Sequence, residues 1–192
     1  MSVSAMRGIN YITIKEVKFM IGVVLIGQSN SGKSVIGKAV ADKLNMRYIS
    51  SGDIARDMAD IQDDLNSGNL APEERMRDAI AHKIASINMS YILDGFPRFY
   101  DQYIWLGQLV AHDLIYVYVD VSDEDILARA ILRGRCDDGS IEKKMLFFKE
   151  HTEPMVREIL GSEDVYIISN GNMDSIEDNV NKICEIVEKY LC

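Results

Sequence analysis

The segment Gly27-Gln28-Ser29-Asn30-Ser31-Gly32-Lys33-Ser34 has the residue types and spacing to hold phosphate groups. It fits the phosphate-loop (P-loop) pattern G-x-x-x-x-G-K-[ST] at every defined position. Such a loop wraps an anion with backbone N–H groups, so a side chain at Gly32 would intrude. A helix beginning near Lys33 would aim its positive dipole end at the same anion. Lys33 offers a point charge to β- and γ-phosphates, and Ser34 offers a hydroxyl to Mg2+ or its water shell. Asp94 closes the apolar run Tyr91-Ile92-Leu93 and is a second candidate for holding magnesium, with a turn or helix-cap role as the alternative.

Phosphate chemistry of this kind needs a buried strand before the loop and a helix after it. Ile21 to Ile26 is a continuous apolar, β-branched run, which reads as a strand buried on both faces of a parallel sheet. Ser34 to Asn45 follows with helical periodicity. Further strands are expected at Tyr48–Ile49, Ser90–Leu93, Leu114–Val119 and Val165–Ile168. Helices are expected at Ile54–Leu65, from Pro72 to Ile87, at 99–110, at Asp123–Leu132, at Ile141–Leu160 with a bend near Pro154, and at Ser175–Tyr190. Strands alternating with helices five times imply an α/β fold, a five-stranded parallel sheet with helices on both faces.

The 192 residues suit one domain, here 20–192, preceded by an extension at 1–19. A formal charge of −9 argues against nucleic acid and anionic membrane as partners, and leaves room for an anionic small molecule bound by a few converging cations. The apolar run Phe19 to Gly27 is too short to span a bilayer and leads straight into the loop. Cys136, Cys184 and Cys192 have no zinc spacing and read as free thiols in a reducing cytoplasm. His82, His112 and His151 have no partner at metal spacing and read as surface or helix-end residues. Trp105, Tyr103 and Leu109 read as core, and Glu73, Glu74, Arg75, Arg77 and Asp78 as a solvated helix face.

Several other segments join the P-loop in one pattern. They are Ser50-Ser51-Gly52-Asp53-Ile54-Ala55-Arg56, Gly68-Asn69-Leu70-Ala71-Pro72, Asp94-Gly95-Phe96-Pro97-Arg98 with Gln102, and Arg129, Arg133 and Arg135-Cys136-Asp137-Asp138. Their order and spacing over roughly residues 20 to 190 resemble the adenylate kinase family of nucleoside monophosphate kinases, with D-G-F-P-R as the most specific mark. The resemblance implies a three-layer P-loop kinase core with a small helical monophosphate-binding insertion at about 54–86 and a lid at about 133–138. It implies transfer of the ATP γ-phosphoryl group to a nucleoside monophosphate. On the donor side it implies Arg129 on the adenine and Asn170 and Gly171 along the base. On the acceptor side it implies Ser51, Arg56, Leu70, Ala71, Gly95, Arg98 and Gln102. Arg133, Arg135 and Lys144 would contact the phosphates in flight, beside Lys33 and Arg98. These roles suit arginine, whose planar fork grips two phosphate oxygens, because phosphoryl transfer is mostly alignment and charge neutralisation.

Departures from the family pattern shape the remaining expectations. Ser29 and Asn30 stand where Pro and Gly are usual, Phe99 where Thr or Asn is usual, and Lys144 where Arg is usual. Only Gly134 separates Arg133 from Arg135, so the lid reads as vestigial, which predicts some ATP hydrolysis without acceptor. Asp137 and Asp138 either orient the neighbouring arginines or cap the next helix. AMP is the leading acceptor because Gln102 matches the adenylate kinase pattern. A UMP/CMP kinase, a small-metabolite P-loop kinase and a weakly active ATP/AMP sensor are the alternatives. A monomer is expected.

Overall fold

The computed structural model describes residues 20–61, 71–133, 141–162 and 164–191. The extension at 1–19, Gly68 to Leu70, and Gly134 to Asp138, where the lid is expected, lie outside the described residues, as does the side chain of Arg133.

Five parallel strands form one sheet in the order β2-β3-β1-β4-β5, with β1 at Ile21–Ile26, β2 at Arg47–Ser50, β3 at Tyr91–Asp94, β4 at Asp113–Asp120 and β5 at Val165–Ser169. Every residue of β1 is buried, as its unbroken apolar run requires of a central parallel strand. Helix α1 (Lys33–Leu44) packs Ile36 and Val40 on one face of the sheet, together with Ile183 and Val187 of a helix at the chain's end. Each such fully buried aliphatic side chain contributes on the order of 2 kcal/mol. The other face is covered by α2 (Ser51–Arg56), α3 (Glu73–Ala85) and α4 (Tyr100–Leu109), through Ile54, Ile80 and Leu106.

Beyond β4 come α5 (Asp123–Arg133), α6 (Ile141–Phe147), a π-helical turn (Phe148–Thr152) and α7 (Glu153–Ile159), then β5 and α8 (Ile176–Leu191). The bend expected near Pro154 is this π turn, which ends just before the proline at the start of α7. A proline suits a helix's first turn, where its missing N–H costs nothing.

Three expectations need correction. The helix after β2 starts at Ser51, not Ile54, because the Ser50 hydroxyl accepts from the Asp53 N–H and caps it. It ends at Arg56, and a short 3-10 turn at Ala59–Ile61 follows. Leu109 is exposed, and Leu106 and Gln102 are the buried residues of α4. Arg77 is not simply solvated: its guanidinium lies 5.5 Å from the Trp105 ring centre, a cation–π contact joining α3 to α4. Among the described residues, no helix is long and apolar enough to cross a membrane.

Candidate functional site

The chain leaves β1 for α1 on one face of the sheet and leaves β3 for α4 on the other. A crevice therefore opens over the C-terminal ends of these neighbouring strands, where ligands of such sheets bind. Asp94 stands level with both Leu25 of β1 and Ser50 of β2. The loops that follow all three strands thus meet at one edge.

The P-loop fills the β1 side. Gly32 has φ 91°, a left-handed conformation, and a Cβ there would collide with the Asn170 side chain. Lys33 is only 9% exposed. Its ammonium donates to the carbonyls of Gly27 (2.8 Å) and Gln28 (2.6 Å) and to the Ser31 hydroxyl (3.2 Å). These acceptors hold a buried cation inside the loop, ready to transfer its bonds to an anion.

Asp94, 5% exposed, faces this loop. One carboxylate oxygen, Oδ2, accepts from Ser34 Oγ and from Tyr48 OH, each at 2.6 Å. Burial, followed by the Asp94 charge and its hydrogen bond, pushes the Tyr48 phenol well above its usual value. Tyr48 is therefore a permanent donor to Asp94. Its part was not legible in the sequence, where it marked only a strand.

The acceptor candidates Ser51, Gly95 and Arg98 come together beyond β3. Gly95 has φ 83°, and a Cβ there would sit 2.6 Å from Ser51 Oγ and 3.9 Å from Arg98 Nη2. The Ser51 hydroxyl is buried with no hydrogen-bond partner among the described residues. Arg98 donates from Nε to the Gly95 carbonyl at 2.9 Å. Burial pushes its guanidinium below the usual value, and the Asp94 charge opposes that shift. Arginine stays protonated regardless, so a positive charge is held behind the crevice. Gln102 accepts the Arg98 backbone N–H at 2.8 Å, which fixes the turn that carries the guanidinium.

Arg56 lies one turn along α2 from Ser51 and pairs with Asp53. Burial pushes the Asp53 carboxyl up, but the Arg56 and Ser50 bonds outweigh it and hold the group below its usual range. Ala71 packs against the core at the start of α3, and Lys144 is half-buried on α6. Leu70, Arg135 and the Arg133 side chain are outside the described residues.

Arg129, Asn170 and Gly171 gather on the P-loop's other flank. The Ser31 carbonyl accepts from Asn170 Nδ2 (2.7 Å) and Arg129 Nη1 (3.3 Å). Arg129 also donates to the Asn170 carbonyl (2.6 Å) and to Asn172 Oδ1 (3.2 Å). Gly171 N–H donates to Asp174 Oδ2 at 2.6 Å, holding the loop after β5 in shape. Asn179, fully buried on α8, donates to Asn170 Oδ1 at 3.1 Å and so orients that amide. Asn179 was missed in the sequence, where it is one polar residue of an amphipathic helix.

Among the described residues, no group of three or more His, Cys, Asp or Glu side chains could hold a metal. Ser34 and Asp94 still fit magnesium. They are hard oxygen donors 2.6 Å apart at a phosphate loop, and Mg2+ takes one or two carboxylates and completes its shell with water and substrate phosphates.

A family profile described as an AAA domain matches residues 26–144, more than half of the chain. The adenylate kinase of Encephalitozoon cuniculi is 32% identical over 146 residues, covering 70% of this chain and 80% of that protein. Adenylate kinase 1 of Synechocystis is 29% identical, covering 84% and 96%. The adenylate kinase of Rickettsia bellii is 26% identical, covering 85% and 99%.

Proposed function

The chain belongs to the adenylate kinase family and is a nucleoside monophosphate kinase; from that premise we propose that its acceptor is AMP and that it converts ATP and AMP into two ADP. The relatives named adenylate kinase support AMP as the acceptor, and one observation carries the transfer between two nucleotides. The P-loop pair Ser34–Asp94 and the acceptor group Ser51–Gly95–Arg98 adjoin at the ends of β1 and β3, with Asp94 and Gly95 consecutive in the chain. Two phosphates bound to these groups would face each other across a single residue boundary.

In this reading, Gly27 to Ser34 cradle the donor phosphates. Lys33 moves from the loop carbonyls to the β- and γ-oxygens. Arg129, Asn170 and Gly171 support the donor base. Arg98 and Arg56 take the acceptor phosphate, with Arg98 already fixed by Gly95 and Gln102. Ser51 gives its buried hydroxyl to the acceptor. Gln102, Leu70 and Ala71 line the acceptor base. Arg133, Arg135 and Lys144 neutralise charge on the transferring group. A general base is not required, because the reaction depends on alignment and on charge spread over three equatorial oxygens. Ser34 and Asp94 would hold magnesium, which supplies neutralising charge to the donor phosphates. The buried free thiol of Cys184 suits a reducing cytoplasm.

Calorimetric titration with AMP, UMP and CMP tests the acceptor assignment. AMP should bind at least about tenfold more tightly than either pyrimidine nucleotide, a difference near 1.4 kcal/mol. Equal binding of the three would remove AMP as the preferred acceptor.

A further inference from the structure

The π turn at Phe148–Thr152 is fastened at several points near the crevice. Phe148 stacks on Tyr118 of β4, and Phe147 and His151 both pack against Phe99, which opens α4. Thr152 Oγ1 donates to the Arg98 carbonyl at 3.0 Å. Single π turns inside helices recur at functional sites. This one holds the backbone of Lys149, a residue with no role in the sequence pattern.

Lys149 pairs with Oδ2 of Asp123, the first residue of α5. The other oxygen of that carboxylate, Oδ1, accepts from Gln28 Nε2 at 3.0 Å. Gln28 is the second residue of the P-loop and is 7% exposed, and its backbone carbonyl is the 2.6 Å acceptor of Lys33. Its amide oxygen is buried with no partner among the described residues. One carboxylate therefore joins the π turn to the donor loop, using one oxygen for each.

We propose that Lys149 is a positioning residue for the donor phosphate loop, acting through Asp123 and Gln28. The inference rests on the reading of residues 27–34 as the ATP site. A side-chain amide has two orientations related by a half-turn, and an ionised carboxylate accepts only from the NH2 end. Asp123 so placed fixes the amide and the loop residue that carries it. Lys149 occupies Oδ2 and keeps Oδ1 turned to Gln28. Both ends of the Lys149–Asp123 pair are substantially exposed, at 49% and 35%, so the pair adds little to global stability. Its consequence falls on the loop.

The test is Lys149→Met in the full chain, with ATP affinity measured by calorimetry without acceptor. The expected result is an ATP Kd raised about fivefold to tenfold, an AMP KM within about twofold of wild type, and a melting temperature within about 2 °C. Lys149→Arg restores ATP affinity to within about twofold. The deficit of Lys149→Met narrows between about 0.05 and 0.5 M salt, as an exposed ion pair is screened. In a Gln28→Met background the Lys149 substitution adds nothing, because its route is already cut. An ATP Kd within about twofold of wild type for Lys149→Met, or full additivity with Gln28→Met, overturns the proposal. Wild-type protein that binds ATP but phosphorylates no monophosphate refutes the acceptor assignment and leaves the Lys149 result standing. Wild-type protein that does not bind ATP refutes both.

Discussion

Ser34 Oγ donates a 2.6 Å hydrogen bond to Asp94 Oδ2, joining the last residue of the P-loop, in the first turn of α1, to the last residue of β3. In the proposed function this hydroxyl and this carboxylate would hold the donor nucleotide's magnesium. Asp94→Asn keeps the shape and removes the charge. It should lower kcat about a hundredfold and raise the magnesium concentration for half-maximal rate at least about tenfold. Rates measured across a magnesium titration check this, and an unchanged magnesium midpoint would count against the metal assignment.

Arg98 is held by its own bond to Gly95 and by Gln102, so in the proposed role it would meet a phosphate with little reorganisation. Arg98→Ala should cost more than about a hundredfold in kcat, as loss of a transition-state charge contact does. Arg98→Lys keeps the charge and loses the planar fork, and should still cost about tenfold or more. Steady-state kinetics of the two variants decide the matter. A loss of about tenfold or less for Arg98→Ala contradicts the assigned role.

The P-loop, the five strands and the helices other than the one after β2 were legible because their signals are local. An unbroken apolar run gives β1, and a glycine-lysine spacing gives the turn after it. The partners of these groups were not legible. Gln28 meets Asp123 across 95 residues, and Arg129 meets Ser31 across 98. Nothing near either end of such a contact predicts the other, because the sheet order brings them together. Tyr48 illustrates the same limit, since its hydroxyl reaches Asp94 only after β2 pairs with β3. Leu109 failed for a different reason: it lies on the same side of α4 as buried Gln102 and Leu106, but it is the last residue of the helix and is left exposed.

Ser51 offers a prediction with two opposite signs. Its buried hydroxyl has no partner among the described residues, and an unpaired buried polar group costs stability. Ser51→Ala should leave the melting temperature of the ligand-free protein unchanged or raise it, while raising the AMP KM about fivefold or more. Thermal melts and AMP kinetics on one preparation test both halves. A lower melting temperature with unchanged AMP kinetics would make Ser51 purely structural.

His112 lies at the opposite end of the sheet, where its Nε2 is 3.0 Å from the hydroxyl of fully buried Tyr91. Burial pushes the imidazole below its usual value, and the Asp113 charge opposes the shift. A pKa depressed by folding means that the neutral ring is favoured in the native state. The stabilisation is present above the unfolded value of about 6.5 and is lost as pH falls through the lower native value. The melting temperature should therefore fall more steeply from about pH 7 to pH 5.5 in wild type than in His112→Gln. Parallel curves would show that His112 titrates no differently in the folded chain.

ADP formation from ATP in a coupled assay, with AMP, UMP or CMP as the second nucleotide, tests most directly whether both phosphates meet at the ends of β1 and β3. AMP should support turnover with kcat/KM at least about tenfold above the other two, yielding two ADP for each ATP consumed. ADP released at one rate whether or not a monophosphate is present would contradict the account.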